Sequence, residues 1–255
     1  MTLPIVLSIP HCGTKVPDDL AGHLALSPAQ VAESEDSGTR EIFSDMPVMA
    51  SQAAEWSRLL VDLNRSDDDL SPKGVIARAD YFGRSVFKPG YEPDRQETLR
   101  RVEAYHRPYH EKLLQNLTLP GLRLLLDCHS MDGVGPADAP DPGQVRADVN
   151  LGNNGGPDGE PDPKRGKLTC PAELVRGLIG ALAAEGLSVS LNSPYAGGYI
   201  TLHYGAVLRK QGKAALQMEL KKDLYLSPEG VLDDQRLAHA RQAIWAAFEK
   251  IARLL

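Results

Sequence analysis

The chain has 255 residues, 42% of them hydrophobic, a net charge of -6 and three cysteines. That much apolar material can build a sizeable core, which argues against global disorder. The acidic balance excludes the basic face that a nucleic-acid partner would need, and an odd cysteine count argues against a disulfide framework and for a reducing compartment.

No apolar run approaches the length of a membrane span, and no basic-then-apolar pattern marks a signal peptide, so the expected location is the cytoplasm. In chain order, "PIVLSIP" (4–10) is short, β-branched and continuous, and predicts a buried strand. Ser27-Pro28 predicts a helix start, with a capping serine and proline at the first helical position. "TREIF" (39–43) predicts a second helix; "MPVMAS" (46–51) and "RLLVDLN" (58–64) predict strands. Residues 94–117 are rich in helix formers and predict a long helix that Pro108 kinks or divides. "LLLDCHSM" (124–131) predicts a buried strand ending in reactive side chains. Residues 136–167, dense in Gly, Pro, Asp and Asn, predict a long loop or flap with a short strand at "RADVNLG". An amphipathic helix over 172–186, strands over 187–192 and 213–220, and a closing helix from 233 complete the pattern. This alternation predicts one α/β domain over 1–255, with a mostly parallel, mixed sheet covered by helices on both faces.

In such sheets ligands bind where strands give out at their carboxyl ends. His11, Asn64, Arg65, His129 and Glu219 all lie at or near such ends. A catalytic zinc takes three protein ligands and leaves one position open. His11 and His129 match as a pair, and "ESEDSG" offers Asp36, with Glu33 and Glu35 as rivals, for the carboxylate. Glu219, in an apolar stretch, is a candidate proton carrier if it faces the rim. Arg65 has the planar fork that grips carboxylates, although the Asp67–Asp69 run competes for it. "YAGGYITLHYG" (195–205) is read as a substrate-facing loop supplying Gly197, Gly198 and Thr201. His106 and His110 have zincin spacing, but Arg107 replaces the essential Glu, so local packing is the expected role. Cys12 and Cys128 read as small buried residues.

The ordered set "SIPHCG", "EDSGTREIF", "VDLNRS", "HRPYHEKL", "DCHSM", "DVNLGNNGG", "GGYITLHYG" and "LQMELKKDLY" resembles the N-formylglutamate amidohydrolase family. The resemblance implies a phosphorylase/hydrolase-like fold related to zinc carboxypeptidases and a zinc-dependent amide hydrolase acting on a small N-acyl amino acid. By the same resemblance, His11, Asp36 and His129 would hold one Zn2+ per chain, or another divalent ion. Glu219 would be the general base and acid. Asn64 and Arg65 would grip a substrate carboxylate or stabilise the oxyanion. The implied substrate is N-formyl-L-glutamate, cleaved to formate and glutamate as in histidine degradation. Family members often carry Arg in "GGYITRHYG", where this chain has Leu202, so another N-acyl amino acid stays open as substrate. The alternatives are a related zinc amidase or peptidase, for example on cell-wall peptide, and a non-catalytic ligand-binding protein. Neither nucleic acid nor membrane is an expected partner, and the oligomeric state is not specified.

Overall fold

The computed structural model, which describes residues 2–255, gathers the apolar runs into one six-stranded sheet. In chain order come β1 (Leu3–Ile9), α1 (Asp18–Ala21), α2 (Pro28–Glu33), α3 (Thr39–Phe43) and β2 (Val48–Ala53). Then follow α4 (Arg95–Arg101), a π-helical turn (Val102–His106), α5 (Arg107–Leu117), β3 (Leu124–Met131) and β4 (Val149–Gly152). The chain continues through α6 (Ala172–Ala184), β5 (Val189–Leu191), α7 (Tyr199–Arg209), β6 (Ala214–Lys221) and α8 (Asp234–Ile251). Strand order is β2-β1-β3-β6-β4-β5. The first four of these run parallel, β4 is antiparallel to β6, and β5 is parallel to β4. The sheet is therefore mixed and mostly parallel, as the alternation of elements predicts.

Helices pack in two groups against the central strands. One group joins α3, α6 and α8; the other has α5 against β1 and β2, and α7 against β3 and β6. All eight residues of β3 are buried, which is why it reads as a continuous apolar run rather than an alternation. Each fully buried leucine there contributes about 1.5–3 kcal/mol relative to exposure. Ser27 caps α2 as predicted, in a full capping box with Gln30.

Three local expectations change. The strand predicted over 58–64 does not form. Leu59, Leu60 and Val61 are buried as expected, but Ser57 and Asp62 turn the chain by accepting the N–H groups of Leu59 and Asn64. Short polar side chains here outcompete a ladder. The stretch at 195–205 is a loop only as far as Gly198; from Tyr199 it is helix, with Ile200, Tyr204 and Leu208 at helical spacing on the buried side. The helix over 94–117 does not break at Pro108. A π turn at Val102–His106 precedes it, and Pro108 sits in the first turn of α5. The wider turn accommodates a residue that cannot donate to the preceding turn.

Candidate active site

Sheet register builds the site. Ser8, Asp127 and Gln217 lie abreast on β1, β3 and β6. Two residues further along, His129 pairs with Glu219, which also pairs with Asn150 on β4. Side chains two apart on a strand share a face. Asp127 and His129 therefore project from one side of β3, and Gln217 and Glu219 from the same side of β6. His11 follows β1 at the same carboxyl edge.

Asp36 arrives from the loop between α2 and α3. Its N–H donates to the His11 carbonyl (3.0 Å), and its carboxylate accepts the Ser130 N–H (3.1 Å). The turn needs Gly38, whose φ is +85° and whose added Cβ would lie 2.4 Å from the Tyr225 ring. Of the three acids offered by the sequence, Asp36 is the one beside the histidines. Glu33 instead pairs with Arg84 at 2.7 Å. Glu35 is buried, and desolvation pushes its carboxyl up to about 7.

The donor set fits a divalent ion. His129 Nδ1 is 3.2 Å from His11 Nδ1 and 3.1 Å from Asp36 Oδ2, and His11 Nδ1 is 3.6 Å from that oxygen. A tetrahedral zinc with ligands at about 2.05 Å sets neighbouring donors about 3.3 Å apart. The far nitrogens are committed: His11 Nε2 lies 2.8 Å from Asp62 Oδ1, and His129 Nε2 lies 3.2 Å from Asp127 Oδ2. With an ion between the two Nδ1 atoms, each Nε2 would carry its hydrogen toward the carboxylate behind it; His129 Nε2 also lies 3.2 Å from Asn64 Nδ2. Two lone pairs and a carboxylate oxygen then face one point. Positive charge is favoured there. Burial opposes charging of His129, but the Asp127 carboxylate and the bonds to Asp127 and Asp36 hold its pKa well above the imidazole range. Burial likewise opposes ionisation of Asp36, and its bonds to both imidazoles outweigh it, holding the carboxyl well below the usual range.

Glu219 lines the same cavity, of about 310 Å³. Burial first, then the nearby Asp36 and Asp127 charges, push its carboxyl up to about 7. Gln217 Nε2 donates to its Oε1 at 2.7 Å, and Gln217 Oε1 accepts the Gly198 N–H. Asn64, Arg65, Gly197 and Gly198 also line the cavity. Asn64 Oδ1 accepts the Ile200 N–H at 2.8 Å, and an added Cβ at Gly198 would fall 2.3 Å from Asn64 Nδ2. Only glycine lets the two loops meet this closely. Arg65 donates to the carbonyls of Lys73 and Asn64 and to Tyr81 Oη. Four cations line the cavity: Arg58, Arg65, Arg146 and Lys222. Among the described residues, three of them have a carboxylate within 4.0 Å and Arg65 has none.

Thr201 is not part of the cavity wall. It is fully buried and donates to Asp127 Oδ2 at 3.1 Å, behind His129. Leu202 is also outside the wall. The cysteines are all buried and free, and burial pushes the Cys12 thiol up to about 11, which leaves it a poor nucleophile. Sequence reasoning missed the two carboxylates behind the imidazoles. Asp127 was detectable, since alternation puts it on the face of His129. Asp62 lay inside "VDLNR", next to the residues that drew attention. Arg58, which bonds Asp62 at 2.8 Å, and the Arg146–Tyr195 wall had no sequence signal.

Fold and site together define a mixed α/β protein in which three buried donors that could hold a cation meet at the carboxyl edge of its sheet. The family model for N-formylglutamate amidohydrolase matches residues 3–226. A Pseudomonas putida N-formylglutamate deformylase is 30% identical over 244 residues, covering 88% of this chain and 82% of that protein. Its Pseudomonas aeruginosa counterpart is 29% identical over 239 residues, covering 89% and 84%. The crystal structure of an N-formylglutamate amidohydrolase from Ralstonia eutropha shares the fold at TM-score 0.77 and 22% identity, with 99% of this chain and 94% of that one covered. The chain belongs to the N-formylglutamate amidohydrolase family.

Proposed function

We propose that the chain hydrolyses the amide bond of a small N-acyl amino acid, with N-formyl-L-glutamate as substrate and one divalent ion, Zn2+ by preference, as cofactor. The observation that carries the reading is the convergence of His11 Nδ1, His129 Nδ1 and Asp36 Oδ2 on one point, with Glu219 abreast of His129. These three residues would hold the ion. When bound, it would supply Lewis acidity for the amide carbonyl and for water.

The chain's own groups do the rest. Glu219 takes a proton from water and returns it to the leaving amine. A carboxyl pushed up to about 7 is suited to both steps near neutrality. Arg65 binds a substrate carboxylate, and its lack of a carboxylate partner leaves that charge available. Asn64, whose Oδ1 accepts the Ile200 N–H, lines the same cavity and sets its amide nitrogen 3.2 Å from His129 Nε2. The cavity is at the small end of ligand pockets, which suits an amino-acid derivative better than a polymer.

The test is a hydrolysis panel of N-formyl, N-acetyl and N-formimidoyl amino acids, run on chelator-stripped and zinc-restored protein. We expect formate release from N-formyl-L-glutamate, lost on stripping and regained with zinc. Absence of turnover on every member of the panel with zinc present, or an undiminished rate after stripping, would remove the proposal.

A further inference from the structure

We propose that His106 and His110 are positioning residues, which fix the main chain on either side of Asn64 so that Asn64 and Arg65 present their side chains to substrate. The inference rests on the reading of those two residues as the substrate grip. His106 Nε2 lies 2.9 Å from the Arg65 carbonyl, and His110 Nε2 lies 2.9 Å from the Leu63 carbonyl. These partners are 41 and 47 residues away, so the bonds are not local helix packing. The loop they hold forms no strand and has no ladder of its own.

The two rings stack with centroids 4.1 Å apart. That places both Nε2 atoms along one stretch of backbone, two residues apart. The π turn ending at His106 is the local device that sets His106 relative to His110. Such turns recur at functional sites because they re-aim one side chain without breaking the helix. His110 is fixed at both ends: its Nδ1 lies 2.9 Å from Tyr204 Oη, on the helix that follows Gly198. The same helix donates the Ile200 N–H to Asn64. The grip is thus held from α5 below and from α7 beside it.

A carbonyl only accepts, so both rings must carry hydrogen on Nε2, and His110 Nδ1 must accept from Tyr204. Burial, and for His110 the neighbouring imidazole, lowers both pKa values, His110 to about 3, so both rings stay neutral near pH 7.

Two arms test this on the full chain. The first reads imidazole 15N shifts and couplings in the wild-type protein, with no dependence on activity. Both His106 and His110 should be neutral Nε2–H tautomers; an Nδ1–H tautomer or a charged ring at either position overturns the inference. The second compares His106→Leu with His106→Gln, whose amide nitrogen can replace Nε2, in the zinc-loaded enzyme. His106→Leu should raise KM for N-formyl-L-glutamate about tenfold or more, with kcat changed less than about threefold and zinc content unchanged. His106→Gln should restore KM to within about threefold of wild type. An unchanged KM in the leucine variant, or equal damage in both, overturns the role. If His106→Leu fails to fold, the tautomer arm decides. If the wild-type enzyme does not turn over N-formyl-L-glutamate, the substrate reading fails by itself and the tautomer arm still stands.

Discussion

The molecule contains two histidine pairs, and they differ in what lies behind them. His11 and His129 are 118 residues apart, each backed by a carboxylate on Nε2, with Nδ1 atoms facing each other at 3.2 Å. His106 and His110 are four apart on one helix, each with Nε2 on a backbone carbonyl. The first pair converges lone pairs on one point; the second spends its hydrogens on separate, neutral acceptors and converges nothing. The i, i+4 spacing of the second pair is that of a metal motif, but Arg107 stands where that motif needs Glu. The partner of the far nitrogen is the better guide to whether an imidazole is a ligand or a clamp.

Substitutions sharpen the contrast. The largest effect belongs beside the converging pair: Glu219→Gln should cut turnover by about 10²–10⁴ while zinc stays bound, read by steady-state kinetics and metal content together. Near-normal turnover would take Glu219 out of the mechanism. Next, Asp127→Asn should weaken zinc binding about 10–100-fold in a competitive chelator titration, because the amide no longer fixes the His129 tautomer. The clamp pair has no such carboxylate to lose. Gly38→Ala should cost roughly 2–3 kcal/mol in urea denaturation, since it strains the turn that delivers Asp36 and drives a methyl into Tyr225.

The smallest effect lies on the clamp side. Glu97 pairs with Arg100 and with buried Arg101, which reaches the Leu60 carbonyl under the 58–65 loop. Those bonds, led by the one to Arg100 and opposed by desolvation, pull the Glu97 carboxyl down to about 2. A carboxyl lowered by folding contributes stability above its ordinary pKa and loses it as pH falls through the folded value. Glu97→Gln should therefore cost roughly 1 kcal/mol at pH 7, discounted for solvent screening. The difference from wild type should shrink as pH drops from about 4.5 to 2. A gap that is constant with pH would show that the pair contributes nothing electrostatic.

The sequence made the strand-end histidines legible because β1 and β3 are continuous apolar runs whose ends are unmistakable. It offered Asp36 as the carboxylate, with Glu33 and Glu35 as rivals; what sets Asp36 beside the histidines is a turn at Gly38 that packs against Tyr225, far along the chain and out of reach of sequence spacing. The pairing of His129 with Glu219 was hidden for a similar reason: which strands become neighbours is a tertiary fact. "VDLNR" was informative in composition and misleading in conformation, because its aspartate turns the chain instead of joining a ladder. Thr201 read as a substrate contact lies one layer deeper, bonded to Asp127, because residues 199–209 form a helix.

The central claim is that one histidine pair holds a cation and the other holds backbone. Zinc titration of wild type, His129→Ala and His106→Leu, followed by native mass spectrometry, tests it directly. About one ion per chain is expected on wild type and on His106→Leu, and none on His129→Ala. Retention of the ion by His129→Ala, or its loss from His106→Leu alone, would contradict the account.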